Sequence, residues 1–313
     1  MDITIRPLDQ HDLPEAERIF RLAFGTFFGL PDPMSFMGDA DLVSPRWRAA
    51  PAATLGAYLD NALVGSNVAT NWGSFGFFGP LTVRPDLWDQ GIAQRLLTAT
   101  MELFRQWGTR QAALFTLPQS PKHLALYQKF DFWPQYLTPV MSKPVGRVIT
   151  AERWSTYSEI PLHARETCLA TCRALTHAVY PGLDVQCEIR AVVEQQLGDT
   201  VLIHDGTDLV AFAICHLGRG SEAGTGAAYV KFGAVHPGPG AAQSFDHLLA
   251  ACEALASARG MEQLIAGVNT ARHEAYRMML ARGFRTFLEG VAMQRPNEPG
   301  YNRPDCFVID DWR

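Results

Sequence analysis

The chain has 313 residues, more than one ordinary domain needs and comfortable for two. Hydrophobic residues at 47% against charged residues at 19% supply sizeable cores and exclude bulk disorder. The net charge of -5 comes with no dense Lys/Arg stripe, which disfavours a nucleic-acid backbone as partner. No apolar stretch approaches the ~20 residues that span a bilayer, and the start, Met1-Asp2-Ile3-Thr4-Ile5-Arg6, lacks a secretory pattern, so a soluble cytoplasmic protein without membrane partner is expected.

In chain order, Leu13 to Phe24 reads as a helix and Thr54 to Trp72 as a hairpin. Phe77-Phe78-Gly79-Pro80-Leu81-Thr82-Val83 is a short apolar strand ending at Arg84-Pro85, and Gly91-Ile92-Ala93 opens a helical pattern through Leu96, Leu97, Met101 and Phe104. Ala112 to Thr116 reads as a buried strand. Ser120-Pro121 is an N-cap followed by proline at the first helical position, starting a helix that carries Leu124 and Tyr127 and ends near Phe130; two further strands are expected after it. Lys143 to Arg153 reads as the linker. Beyond it come a helix at Leu162 to Val179, a hairpin at Thr200 to Leu217 and a glycine-rich loop at Gly218 to Gly226.

The order strand, turn, long helix, strand, short helix, two strands then recurs from Ala227 to about Gln294, as it runs from Phe75 to about Lys143. Val83 pairs with Val235, Pro85 with Pro237, Leu97 with Leu249 and Asp131-Phe132 with Gly283-Phe284, each 152 positions apart without a gap. Leu63-Val64 and Leu209-Val210 match at an offset of 146, so the second copy holds six extra residues in its glycine-rich loop. The reading is a duplicated α/β unit with a mixed sheet, residues 1–146 and 147–294, and a polar tail, 295–313, expected as an extended arm on a neighbouring surface. All six cysteines lie in the second half with no Cys-x-x-Cys pair, so neither a metal knuckle nor a redox motif is expected.

A strand, a short turn and a glycine at a helix start form an anion site, because unpaired N–H groups and the positive end of the helix dipole converge there. Small residues at Gly91 and Ala93 let a phosphate touch the backbone; tight turn packing accounts for the same residues equally well. No Walker loop and no Gly-x-Gly-x-x-Gly fingerprint occurs.

Taken with the second helix, the run from Val83-Arg84-Pro85 to Gln90-Gly91-Ile92-Ala93 and then Leu126-Tyr127-Gln128-Lys129-Phe130-Asp131-Phe132 resembles the GCN5-related N-acetyltransferase (GNAT) superfamily. The resemblance covers both halves and implies two tandem GNAT folds packed as a pseudo-dimer, with acetyl-CoA as co-substrate and no metal. It assigns to cofactor binding the strand backbone of Leu81, Thr82 and Val83, and the loop and helix start at Gln90, Gly91, Ile92, Ala93 and Gln94. Ser120 and His123 stand at positions that touch the pantetheine arm, although helix capping alone also explains Ser120. Trp88, Asp89 and Asp131 depart from the family pattern. In the implied reaction an amine attacks the thioester carbonyl and the thiolate leaves protonated. Tyr127 is the candidate proton donor.

For the general base the reading leaves Asp39, Asp41, a chain of waters, or none where the amine arrives neutral, since Gly73 to Val83 contains no acid or histidine. Phe27, Phe28 and Phe36 lie in the region that lines the acceptor side of such folds, and suit an apolar or aromatic acceptor if they are not simply core. In the second copy Gly91 becomes Gln243, Ala93 becomes Phe245 and Tyr127 becomes Met279, so that copy is expected to be degenerate and structural, its tail and face helping to wall the first copy's cleft. The expected activity is acetyl transfer to a small amine by a monomer or homodimer. A non-catalytic acyl-CoA sensor and a mycothiol-synthase-like tandem enzyme are the alternatives.

Overall fold

The computed structural model describes residues 2–146 and 154–313. The first half contains β1 (Ile3–Pro7), α1 (Leu13–Phe27), α2 (Ser44–Ala49), β2 (Thr54–Leu59), β3 (Ala62–Trp72), β4 (Phe75–Val83), α3 (Ile92–Trp107), β5 (Gln111–Thr116), α4 (Pro121–Gln128) and β6 (Trp133–Pro144). The second contains β7 (Ser155–Thr156), α5 (Arg165–Val179), α6 (Gln186–Glu194), β8 (Gly198–Asp205), β9 (Asp208–Leu217), β10 (Ala227–Val235), α7 (Ala241–Ala258), β11 (Gln263–Gly267), α8 (His273–Ala281), β12 (Arg285–Arg295) and β13 (Val308–Ile309). Both bounds of α1 and α5 and of β4 and β10 stand 152 positions apart, as do the starts of α4 and α8 and of β6 and β12. Among these residues no helix is long and apolar enough to cross a membrane.

One mixed sheet carries the order β1-β2-β3-β4-β5-β12-β6-β11-β10-β9-β8-β7, with β13 paired to β10 off this path. Each half therefore ends in the other: β12 lies antiparallel on β5, and β6 lies antiparallel on β11, while β6 and β12 pair with each other at the centre. The two strands expected after each short helix are a single long strand in both halves, shifted in register along the β6–β12 pair. A hairpin there would satisfy its hydrogen bonds locally. The exchange satisfies them between halves and leaves neither β5 nor β11 an open edge.

Local chemistry sets the elements that frame the site. α3 buries Ile92, Leu96, Leu97, Thr100 and Phe104, a helical stripe against the sheet, and it is bracketed by left-handed glycines at Gly91 (φ 78°) and Gly108 (φ 67°). α1 lays Ala16, Ile19, Phe20 and Ala23 on the core in the same way. β10, flanked on both faces, is buried along its whole length, and its one charge, Lys231, is answered by Glu222 at 2.7 Å and Glu188 at 3.0 Å.

Three expectations need correction. The linker does not begin at Lys143, because β6 runs on through Pro144; residues 147–153 of that stretch lie outside the described residues. The short helices α2 and α6 lie where no helix was expected. The tail is no surface arm: Tyr301, Cys306, Val308, Ile309, Asp310 and Asp311 are buried, and Trp312 packs at 5.2 Å from Phe75 and 5.9 Å from Tyr301 in a core shared by both halves. Phe307, Val308, Ile309 and Trp312, apolar residues within an otherwise polar stretch, drive that burial.

Candidate active site

β4 and β5 are parallel neighbours only from Phe75–Gln111 to Phe78–Leu114. Beyond Phe78 they part. β4 stays with β3 through Val83, with a register shift between Asn67 and Ala69, while β5 continues beside β12. The free edge of β4 opens into a cavity of about 960 Å³, whose wall includes Gly79 to Val83 and, at one end, the start of α3. The first helical hydrogen bond runs from Arg95 N–H to Gly91 O at 3.3 Å, so the N–H groups of the first turn have no intrahelical acceptor. A Cβ added at Gly91 would meet nothing within 4 Å, so the loop faces open space. The residues present fit a diphosphate at that end and an extended arm along β4.

Trp88 braces this loop, donating from its indole N–H to Val83 O at 2.8 Å. Asp89 pairs with Lys122 at 2.5 Å, which places a cation of α4 beside the α3 start and offsets the carboxylate. Ser120 caps α4, accepting weakly from His123 N–H at 3.4 Å, and lines the cavity as well. His123, also in the wall, stacks its ring on Phe27 with centroids 5.1 Å apart. Burial, and then the Lys122 charge, lower its pKa, which keeps it neutral.

Tyr127 sits in the same wall, its ring 5.8 Å from Phe78 and its phenol hydrogen-bonded to the Thr116 side chain. Burial pushes the phenol well above its ordinary range, which keeps the proton on the oxygen. Phe27, Phe28 and Phe36 line the cavity with Phe24: Phe24 and Phe28 each stack on Phe36, at 5.3 Å and 5.6 Å.

Leu81, Thr82, Val83, Gly91, Ile92, Ala93, Gln94, Ser120, His123, Tyr127, Phe27, Phe28 and Phe36 are thus brought together around one cavity. Gln90 stands in the loop but not in the wall. Asp39 and Asp41 are not in it either, which corrects their candidacy as base. Asp39 accepts from Thr225 N–H at 2.8 Å, and Asp41, just ahead of α2, accepts from Val43 and Ser44 N–H at 3.1 and 2.9 Å.

The second half contributes wall residues that the sequence did not disclose: Phe287 and Leu288 of β12, and Trp312 and Arg313 of the tail. Behind the wall Arg46 is buried with Glu222 at 2.6 Å and donates to Gly79 O at 2.7 Å and Arg313 O at 2.5 Å. It holds the point where β4 departs from β5 together with the tail. Burial works against both charges, yet each partner holds the other ionised.

The corresponding wedge of the second half is closed. β10 and β11 part after Val230, and the tail fills the gap: Val308 and Ile309 pair with Ala234 and Gly233, and Val235 N–H donates to Phe307 O at 3.1 Å. Gly233 and Ala234 are the counterparts of Leu81 and Thr82. Arg272, the counterpart of Ser120, donates to Val308 O at 2.7 Å and pairs with Asp310 at 2.5 Å, wholly buried. At Gly267, the counterpart of Phe115, a Cβ would come within 2.3 Å of Asp311, so only glycine lets the tail pass. Phe245 is buried against Phe307, and Met279 is buried where the first half has its tyrosine.

Residues 16–132 match the family model described as the acetyltransferase (GNAT) family. A search of the curated proteins finds no significant match. Among solved structures, a candidate acetyltransferase of Pyrococcus horikoshii superposes with a TM-score of 0.71 at 14% identity, covering 99% of this chain and 95% of that one. A GCN5-related N-acetyltransferase of Sphaerobacter thermophilus gives 0.61 at 14%, covering 94% and 95%. A GCN5-related glucosamine N-acetyltransferase region of a fungal multi-domain β-N-acetylglucosaminidase gives 0.62 at 14%, covering 93% of this chain and 38% of that one. At such identities the likeness is one of fold.

Proposed function

We propose that this chain, whose first half is a domain of the GNAT acetyltransferase family, transfers an acetyl group from acetyl-CoA to a small amine in the cavity between β4 and β5. One observation carries the reading: the open edge of β4, the bare start of α3 and the buried phenol of Tyr127 face a single cavity. Acetyl-CoA, when bound, supplies the activated thioester. The chain supplies the rest: N–H groups of the α3 turn hold phosphate oxygens, main chain at Leu81 to Val83 orients the arm and polarises the carbonyl, and Tyr127 donates a proton to the leaving sulfur. A buried, fully protonated phenol serves as that donor because the departing thiolate is itself strongly basic away from water. The active unit is residues 1–146 completed by β12. Residues 147–294 form a degenerate copy, and 295–313 seal it.

Calorimetry with acetyl-CoA tests the assignment. Gly91→Phe is expected to weaken binding by about 100-fold, since a benzyl group at the turn holds a phosphate off the backbone. Equal affinity in the two proteins would remove the site. A sensor that binds acyl-CoA without turnover is favoured by one feature: Asp89, the one side-chain carboxylate among the described wall residues, is engaged by Lys122. That reading predicts binding with no thiol release across a broad amine panel.

A further inference from the structure

The aromatic part of the cavity wall has a definite chemistry. Phe24, Phe36 and Phe28 form a near-parallel array, with interplanar angles of 11° and 14°. Phe28 stands 36% exposed, so part of the array faces free space. Phe27 meets Phe28 edge-on at 5.4 Å and continues into the stacked His123 ring. Such a surface takes a flat aromatic ligand by offset stacking.

Charge sharpens the choice. The ionic groups of the described wall are Asp89, Lys122, Lys129 and Arg313. Asp89 is matched by Lys122 at 2.5 Å, the Arg313 side chain by Asp311 at 3.5 Å and the Arg313 main-chain carboxyl oxygen by Arg46 at 2.5 Å, which leaves Lys129 and no unmatched anion among these residues. An aliphatic amine, with a pKa like that of lysine, ~10.4, enters as an ammonium and would lose its hydration with no counter-charge to receive it. An amine on an aromatic ring, its lone pair delocalised, enters uncharged.

We infer that the acceptor is a weakly basic aromatic amine stacked on the Phe24–Phe36–Phe28 array, and that His123 takes the proton it releases. This rests on the acetyl-transfer reading and deepens it. His123 and Tyr127 are one helical turn apart on α4, so both rings address the same cavity. The amine nitrogen bonds to the thioester carbon, the carbon–sulfur bond breaks, the nitrogen's proton passes to the His123 imidazole, and the sulfur takes the Tyr127 proton. Solvent exchange returns a proton from the imidazolium to the phenolate, and the products are an N-aryl acetamide and free thiol. A neutral imidazole suffices as base, because an arylamine nitrogen becomes strongly acidic once it is bonded to carbon.

The test follows thiol release with acetyl-CoA and either aniline and 4-methylaniline or benzylamine and phenethylamine, from about pH 5 to 9. The anilines are expected to exceed the alkylamines at least about 10-fold at neutral pH, with kcat/KM falling on the acid side as His123, crowded by Lys122, protonates. His123→Gln should lose that acid limb and about 100-fold in kcat with an unchanged melting temperature. Alkylamines equal to or better than anilines, turnover of neither class, or an acid limb that persists in His123→Gln would each overturn the inference. Calorimetry with acetyl-CoA in parallel separates the failures: absent binding sinks the acetyl-transfer reading itself, whereas intact binding confines the failure to the acceptor.

Discussion

The two halves build the same wedge and put different things in it. In the first, β4 leaves β5 after Phe78 and the gap is open, floored by Gly91 and Ala93 and walled by Tyr127. In the second, β10 leaves β11 after Val230 and the chain's own residues 307–309 lie along the freed edge, held by Arg272 and admitted by Gly267. A parted strand presents unsatisfied N–H and C=O groups that something must meet. The second half meets them with peptide. The first leaves them facing the cavity, and Leu81 and Thr82 stand there at the positions where Gly233 and Ala234 pair with the tail.

Tyr127→Phe should lower kcat by about 10²- to 10⁴-fold, ~3–5 kcal/mol of barrier, with acetyl-CoA affinity nearly unchanged by calorimetry. Its mirror, Met279→Leu, should leave the rate alone and cost under about 1.5 kcal/mol in denaturant unfolding. Equal kinetics in the two variants would end the case for a single active wedge.

Arg272→Met should destabilise the fold by about 3–5 kcal/mol, because Asp310 is left buried and unpaired, whereas Arg272→Met combined with Asp310→Leu should recover most of it. Urea titration of the two variants decides whether the tail is held by this pair. Ala93→Phe, which imports the second half's residue, should weaken acetyl-CoA binding by about 100-fold, ~2.7 kcal/mol, at nearly unchanged stability. If affinity survives, the small residue at that turn is packing and no more.

The smallest effect concerns α1. Glu17 stands where the second half has the fully buried Leu169. Burial, and then the Asp41 charge, push its carboxyl up to about 7 although Arg21 lies 2.6 Å away. Its folded pKa is raised above the ordinary 4.5, so the stability it contributes is complete below that value and is lost as pH rises through about 7. With part of the effect screened by solvent, Glu17→Leu should gain about 1–2 kcal/mol over wild type between about pH 5 and pH 8 in unfolding titrations. A pH-independent difference would show that Glu17 does not titrate in that range.

Much of the cofactor end was legible in the sequence because its determinants are local. A glycine at a helix start, a small residue two positions on, a proline after a capping serine and a tyrosine nearly two turns further along each act within a few residues, and the 152-residue offset compared each with its replacement. The acceptor end was not legible in the same way. Asp39 and Asp41 are near the aromatic residues in sequence but are drawn off by Thr225 and by the start of α2, while Phe287, Trp312 and Arg313 arrive from remote segments.

The repeat, most of the order of its elements and the copy that carries glycine and tyrosine at the wedge could be read from the residues in order, since helical and strand periodicity and capping are short-range effects. The exchange of β6 and β12 and the inward run of the tail that closes the second half's wedge came from long-range pairing. Strand pairing and burial satisfy hydrogen bonds and apolar surface wherever the chain can reach them, and nothing in a residue's neighbours along the sequence says which partner it will reach.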